Sequence, residues 1–139
     1  MLDTLRRVNA SAAFNQWAGI EVVRAGAGEV ELHLPWRSDL GQYAGYLHAA
    51  LIGGLIDTAC GFAAATVAGQ VLASHFAVNC LSPAVGERFT VVARVVRSGR
   101  KQVFTVAELF AERGGDRKLV ATGDAILVPV DPPAPPTAA

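Results

Sequence analysis

Residues 45–65 read GYLHAALIGGLIDTACGFAAA, and this run constrains the chain more than any other. It predicts one long apolar helix from about Leu47 to Val67, with Gly69 as its C-cap. His48, Asp57 and several glycines inside the run argue against a membrane span, so the helix is expected in the protein's own core. A single carboxylate, Asp57, stands within it, nine positions after His48.

At about 100° per residue, Ala50, Gly53, Gly54, Cys60, Gly61, Ala64 and Ala68 share the face of Asp57, and all are small. Leu51, Ile52, Leu55 and Phe62 point the other way, toward the expected sheet. Glycine inside a helix costs about 1 kcal/mol relative to alanine. Gly53, Gly54 and Gly61 therefore imply a close approach, either by a second copy of the helix or by a flat ligand lying along it. No Lys or Arg occurs between Arg37 and Arg88, and a carboxylate in uncharged surroundings has a raised pKa suited to proton transfer. A solvent-exposed Asp is the commoner case, and spacing alone leaves both readings open.

Ahead of this helix, residues 3–15 predict a short helix, Gly19 opens a strand, IEVVRA, and EVELHLPW pairs with that strand in a β-hairpin turning at 26–28. Val30, Leu32 and Leu34 alternate with Glu31 and His33, which puts the first three on one face. After the helix come four strand-like segments, VLASHFAVNCLS, ERFTVVARVV, KQVFTVAELFAER and KLVATGDAILVPV, joined by short turns. One helix against a run of adjacent strands gives an α+β domain with an antiparallel sheet. The 139 residues suggest one domain, expected over 1–130, and DPPAPPTAA at 131–139 has the composition of a disordered tail.

Twelve basic residues balance twelve acidic ones, so the electrostatic footprint of a nucleic-acid binder is missing. The N-terminus, MLDTLRRVNASAAFNQW, lacks the apolar core of a signal peptide. Cys60 and Cys80 form neither a CxxC pair nor a disulfide framework, so a cytoplasmic protein with reduced thiols and no membrane attachment is expected. At 52% hydrophobic and 17% charged, the chain is apolar enough to suggest burial against another subunit. His33 and His75 have no partners at metal-ligand spacing. Cys60 has no adjacent His to activate it, and Ser82 lacks a G-x-S-x-G setting.

The pattern G-x-L-H-x-x at 45–50, with Asp57 nine residues after the His and then x-A-x-G, resembles the hotdog-fold thioesterases of the phenylacetic-acid-degradation (PaaI-like) type. Pro83, Ala84 and Gly86 in NCLSPAVGERFTVVARVVRSGR match that family's strand-Pro-Ala-x-x-G-strand segment. The resemblance covers about residues 15–130 and implies a hotdog fold, a long central helix wrapped by an antiparallel sheet. It also implies hydrolysis of aryl or short- to medium-chain acyl-CoA, with coenzyme A as part of the substrate and no separate cofactor or metal.

Carried onto this chain, the resemblance makes Asp57 the general base or a nucleophile. His48 would position the helix start, the Ala49 backbone N–H would polarise the thioester carbonyl, and Gln42 would lie near the attacking water. A helix N-terminus favours developing negative charge on independent physical grounds. Substrate contacts are implied at Gly45, Ala50, Gly54, Cys60 and Ser74. The basic turn Gly99-Arg100-Lys101, with Arg97, is either a solvated hairpin tip or a contact to the coenzyme A phosphates. The family's sites are shared between subunits of a homodimer, here expected to pair into a tetramer. One departure stands out: Ala49-Ala50 replaces the family's Gly-Gly, which keeps the N–H donor but narrows the approach. A non-catalytic acyl-CoA-binding protein is the alternative it raises.

Overall fold

The computed structural model describes residues 1–131. Two short helices, α1 (Leu2–Ser11) and α2 (Ala13–Ala18), precede the hairpin of β1 (Glu21–Gly26) and β2 (Glu29–Pro35). Two 3-10 turns, Ser38–Leu40 and Tyr43–Gly45, lead to the long helix α3 (Ala49–Ala68). The strands β3 (Val71–Cys80), β4 (Arg88–Ser98), β5 (Val103–Arg113) and β6 (Asp116–Pro129) follow. All six strands form one antiparallel sheet in the order β1-β2-β4-β5-β6-β3. The sheet packs on α3 through β2 to β6, and the expected hotdog arrangement is the one formed.

The alternation in β2 does what its pattern requires, with Val30, Leu32 and Leu34 fully buried. They join Phe89, Val91 and Leu109 from the sheet and Leu55 and Ile56 from α3 in a single core. Helix and sheet come very close at Gly123 of β6. A Cβ there would lie 2.6 Å from Ile56 Cγ2 and 2.8 Å from the Ala77 carbonyl oxygen, so only glycine lets the helix sit this low. At the sheet's margin, β3 pairs among the described residues with β6 alone and leaves its other edge open. Leu72 and Phe76 on this strand are 64% and 48% exposed.

Three expectations change. The single N-terminal helix is two, because Ala12 is extended (φ −92°, ψ 116°). Asn9 Nδ2 donates to Ile20 O at 2.8 Å and Asn15 Nδ2 to Asn9 Oδ1 at 3.0 Å, and these buried bonds tie the corner. Gly19 closes α2 in the left-handed region (φ 85°) rather than opening β1. The open strip of α3 is also rotated from its expected place: Cys60 and Ala64 are fully buried, and Phe62 is only partly so. The buried side of α3 extends to Cys60 and Ala64, so the sheet's cover reaches residues flanking Asp57 on one side. Within the proline-rich segment expected as a tail, residues 132–139 lie outside the described residues.

Candidate active site

The start of α3 is built by two strand-like contacts and a cap. Leu47 N–H donates to Ala84 O at 2.9 Å and His48 N–H to Leu40 O at 3.0 Å. His48 is the N-cap residue, and its Nδ1 accepts the Ala50 amide at 2.9 Å, so the ring carries its proton on Nε2. Ala49, as the first helical residue, has no intrahelical acceptor for its N–H, and no other acceptor among the described residues meets it. Ala49 therefore presents the one uncommitted amide at this turn, where the helix dipole favours negative charge.

The preceding loop folds outward. Gln42 N–H donates to Tyr46 O at 2.8 Å, and Ala44 (φ 56°) and Gly45 (φ 75°) are both left-handed, a costly geometry for alanine. This turn leaves Tyr43 84% exposed, and Gln42, Gly45, His48, Ala49 and Ala50 are exposed with it.

Asp57 lies nine residues on, about 13 Å along the helix axis, so one chain does not bring His48 and Asp57 together. It is half-buried, and burial raises its pKa above the usual carboxylate value, since leaving water disfavours the charged form. The carboxylate faces a cleft of about 820 Å³ between the N-terminal helices, α3 and the start of β3. Thr58, Gly61, Phe62 and Ala65 continue its α3 wall, and Leu5 and Val8 stand opposite.

Other expected contacts fall elsewhere. Gly54 is covered by the Phe14 ring, whose Cζ would sit 3.0 Å from a Cβ added there; part of the small-residue track is thus taken by an aromatic ring of the same chain. Cys60 faces the sheet, not the cleft. Burial, in first place, pushes its thiol pKa up to about 11, and the Thr105 hydroxyl bonded to it only partly offsets that. The sheet's wide cover over α3 removes Cys60 as an acyl contact. Ser74 is exposed on β3, and its hydroxyl donates to Ile126 O at 3.3 Å; its neighbour Ala73 lines the cleft instead.

Arg97, Arg100 and Lys101 are exposed at the β4–β5 tip. That tip lies at the end of the sheet where α3 finishes, because Val95 N–H donates to Gly28 O and Gly28 N–H to Thr66 Oγ1. It is thus remote from His48 within one chain. His33 Nε2 lies 3.0 Å from Glu31 Oε1, and among the described residues no group of three or more His, Cys, Asp and Glu is gathered to hold a metal ion. The sequence reading missed Thr58, Phe62, Ala65 and the α1 side chains as site residues. For Gly61 and Ala65 the usable signal is their spacing of four and eight residues from Asp57, whereas the α1 wall has no local signal.

The family pattern described as the thioesterase superfamily matches residues 44–118, which include both His48 and Asp57. A thioesterase family protein from Silicibacter pomeroyi is 35% identical, covers 91% of this chain and 95% of its own, and superposes with a TM-score of 0.88. A conserved protein from Pseudomonas aeruginosa is 28% identical over 89% of this chain and 98% of its own, with a TM-score of 0.80. The PaaI protein of the E. coli phenylacetic acid degradation operon is 18% identical over 94% and 97%, with a TM-score of 0.82, a likeness of fold alone. No curated protein matches the chain in sequence. With its sequence pattern matched over more than half its length, the chain belongs to the thioesterase superfamily.

Proposed function

We propose that the protein hydrolyses acyl-CoA thioesters, as a homodimer of the PaaI-like type, with Asp57 as general base. One observation carries the reading: a partly desolvated carboxylate faces a largely apolar cleft on the central helix of a thioesterase-superfamily chain. The free Ala49 amide supplies a complementary donor. Since about 12 Å of helix separates the two within a chain, the partner's Ala49 and the partner's Gln42 meet Asp57 in each site. The open β3 edge with its exposed Leu72 and Phe76 is the natural surface for that pairing. A second pairing of dimers into a tetramer, and a cytoplasmic setting with reduced thiols, complete the proposal.

In the reaction, Asp57 takes a proton from water as the water oxygen bonds to the acyl carbon. Negative charge gathers on the carbonyl oxygen, opposite the Ala49 N–H. Collapse then breaks the C–S bond, and the proton held by Asp57 passes to the departing thiolate. The step as written draws on water and these groups alone. Arg97, Arg100 and Lys101 offer positive charge for the coenzyme A phosphates from the β4–β5 tip.

The test follows free thiol release from aryl-, short- and medium-chain acyl-CoAs. Turnover that disappears in Asp57→Asn while binding persists supports hydrolysis by this site. Binding without turnover in the wild-type protein favours a non-catalytic acyl-CoA carrier, a reading suggested by Ala49-Ala50 in place of Gly-Gly. Neither turnover nor binding defeats both. Single turnover in H₂¹⁸O followed by inspection of Asp57 separates a general base from a nucleophile, since only the latter leaves the label in the carboxylate.

A further inference from the structure

The helix α1 is fastened to β1 rather than to α3. Arg6 Nε donates to Val22 O at 3.1 Å, and Asn9 Nδ2 to Ile20 O at 2.8 Å. Held in this way, α1 stands off α3 and leaves the cleft of about 820 Å³ between them, a volume typical of small-molecule sites.

The glycines of α3 differ in what surrounds them. Gly54 makes room for Phe14, and Gly53 meets Phe76 at ordinary contact distance, whereas a Cβ on Gly61 would have no atom within 4 Å. Gly61 therefore carries the helix-propensity cost of glycine with no neighbour among the described residues to account for it. It sits one turn from Asp57 and lines the cleft, so its missing side chain keeps space open beside that carboxylate. Val8 and Leu5 face it from α1, Phe62, Ala65 and Leu127 extend the apolar lining, and no Lys or Arg takes part. Such a wall accepts a neutral chain and disfavours an anionic one beside Asp57.

We propose that this cleft is the acyl-group site, selective for uncharged chains of medium length, and that Gly61 and Val8 set the length it admits. The proposal rests on the hydrolase reading for its substrate class. The cleft lining runs along α3 from Asp57 to the C-cap Gly69, about 18 Å, so the acyl chain extends from the carboxylate toward the C-terminal end of α3. Each methylene buried there raises kcat/KM about fourfold, and a larger side chain at either position cuts that series short.

The test compares decanoyl-CoA with acetyl-CoA for the wild type, Gly61→Leu and Val8→Trp. Leucine at 61 improves helix propensity and its Cβ meets nothing, and Val8 is 49% exposed, so both variants should fold. The decanoyl-to-acetyl ratio of kcat/KM is expected to fall at least tenfold in each. An unchanged ratio in both overturns the proposal. So does loss of the dimer in Gly61→Leu, because the cleft would then be a seat for the second subunit. Octan-1-ol, neutral and free of a thioester, is the independent probe: it should raise Tm in the wild type but not in Gly61→Leu. If the wild type turns over no acyl-CoA, the hydrolase reading fails and the octanol result alone decides. Stabilisation confined to the wild type keeps the cleft as an acyl site, and its absence overturns it.

Discussion

His48 Nδ1 accepts the amide hydrogen of Ala50 at 2.9 Å, so the same imidazole caps α3 and leaves the Ala49 amide as the uncommitted one of the first turn. His48→Ala should lower stability by about 1 kcal/mol, as loss of an N-cap does. It should also depress kcat/KM, because a second free amide and a frayed first turn blur the position of Ala49. His48→Asn, which retains a capping acceptor, should recover most of the Tm. Equal Tm values for the wild type and the alanine variant would count against the cap.

Asp57→Asn should lower kcat by about 10²–10⁴-fold, the usual contribution of a general base, and should stabilise the fold at neutral pH. Burial raises the carboxyl's pKa in the native state above the ordinary aspartate value of 3.8. Its folding contribution is therefore fully favourable below that ordinary value and is lost as pH rises through the native pKa. Chemical denaturation of both proteins at pH 7 and near pH 3 checks this. The variant's advantage should be present at pH 7 and vanish in acid.

The two cysteines should behave oppositely. Cys80 is exposed, whereas Cys60 is buried with its pKa near 11, so little thiolate is available to react. A chromogenic disulfide reagent should titrate one thiol rapidly in the native protein and two in denaturant. Two fast thiols without denaturant would mean that α3 is far less firmly seated.

Gly123 and Gly61 should respond in opposite directions to the same substitution. Gly123→Ala drives a methyl into Ile56 and the Ala77 carbonyl and should cost about 1–3 kcal/mol through overpacking. Gly61→Ala meets open space and should add up to about 1 kcal/mol from helix propensity. Urea unfolding of both variants gives the comparison.

On the sheet's outer side, Thr90 and Arg88 both bond Glu112. Burial alone raises the Glu112 pKa, but the Thr90 hydroxyl and the Arg88 guanidinium outweigh it and leave the pKa below the ordinary glutamate value of 4.5. The stability it provides is present above that value and is lost as pH falls through the native pKa. Glu112→Gln should therefore cost most near pH 7, with the gap in Tm closing below about pH 4.5.

The strands and the central helix were legible because their signals are local: the period-two alternation of Val30, Leu32 and Leu34, and the apolar run from about Leu47 to Val67 closed by Gly69. The break at Ala12 was not, since alanine is a good helix former and the corner is held by Asn9 and Asn15 reaching across the fold. Asp57 stood out as a lone carboxylate, but which of its neighbours stay open depends on how far the sheet wraps. Helical geometry gave Cys60 and Gly61 the same face; β5 covers the first and leaves the second bare. The α1 wall of the cleft is a tertiary placement with no periodic trace.

One consequence concerns the order in which the ribosome delivers these elements. The apolar helix α3 ends at residue 68, and the sheet that covers it is complete only at Pro129, about sixty residues later. At roughly 5–20 residues per second, a segment with the length and composition of a membrane span waits roughly 3–12 seconds for its cover. The three glycines and the carboxylate within it, costly to the finished helix, also make this nascent segment a poorer substrate for membrane insertion while it waits.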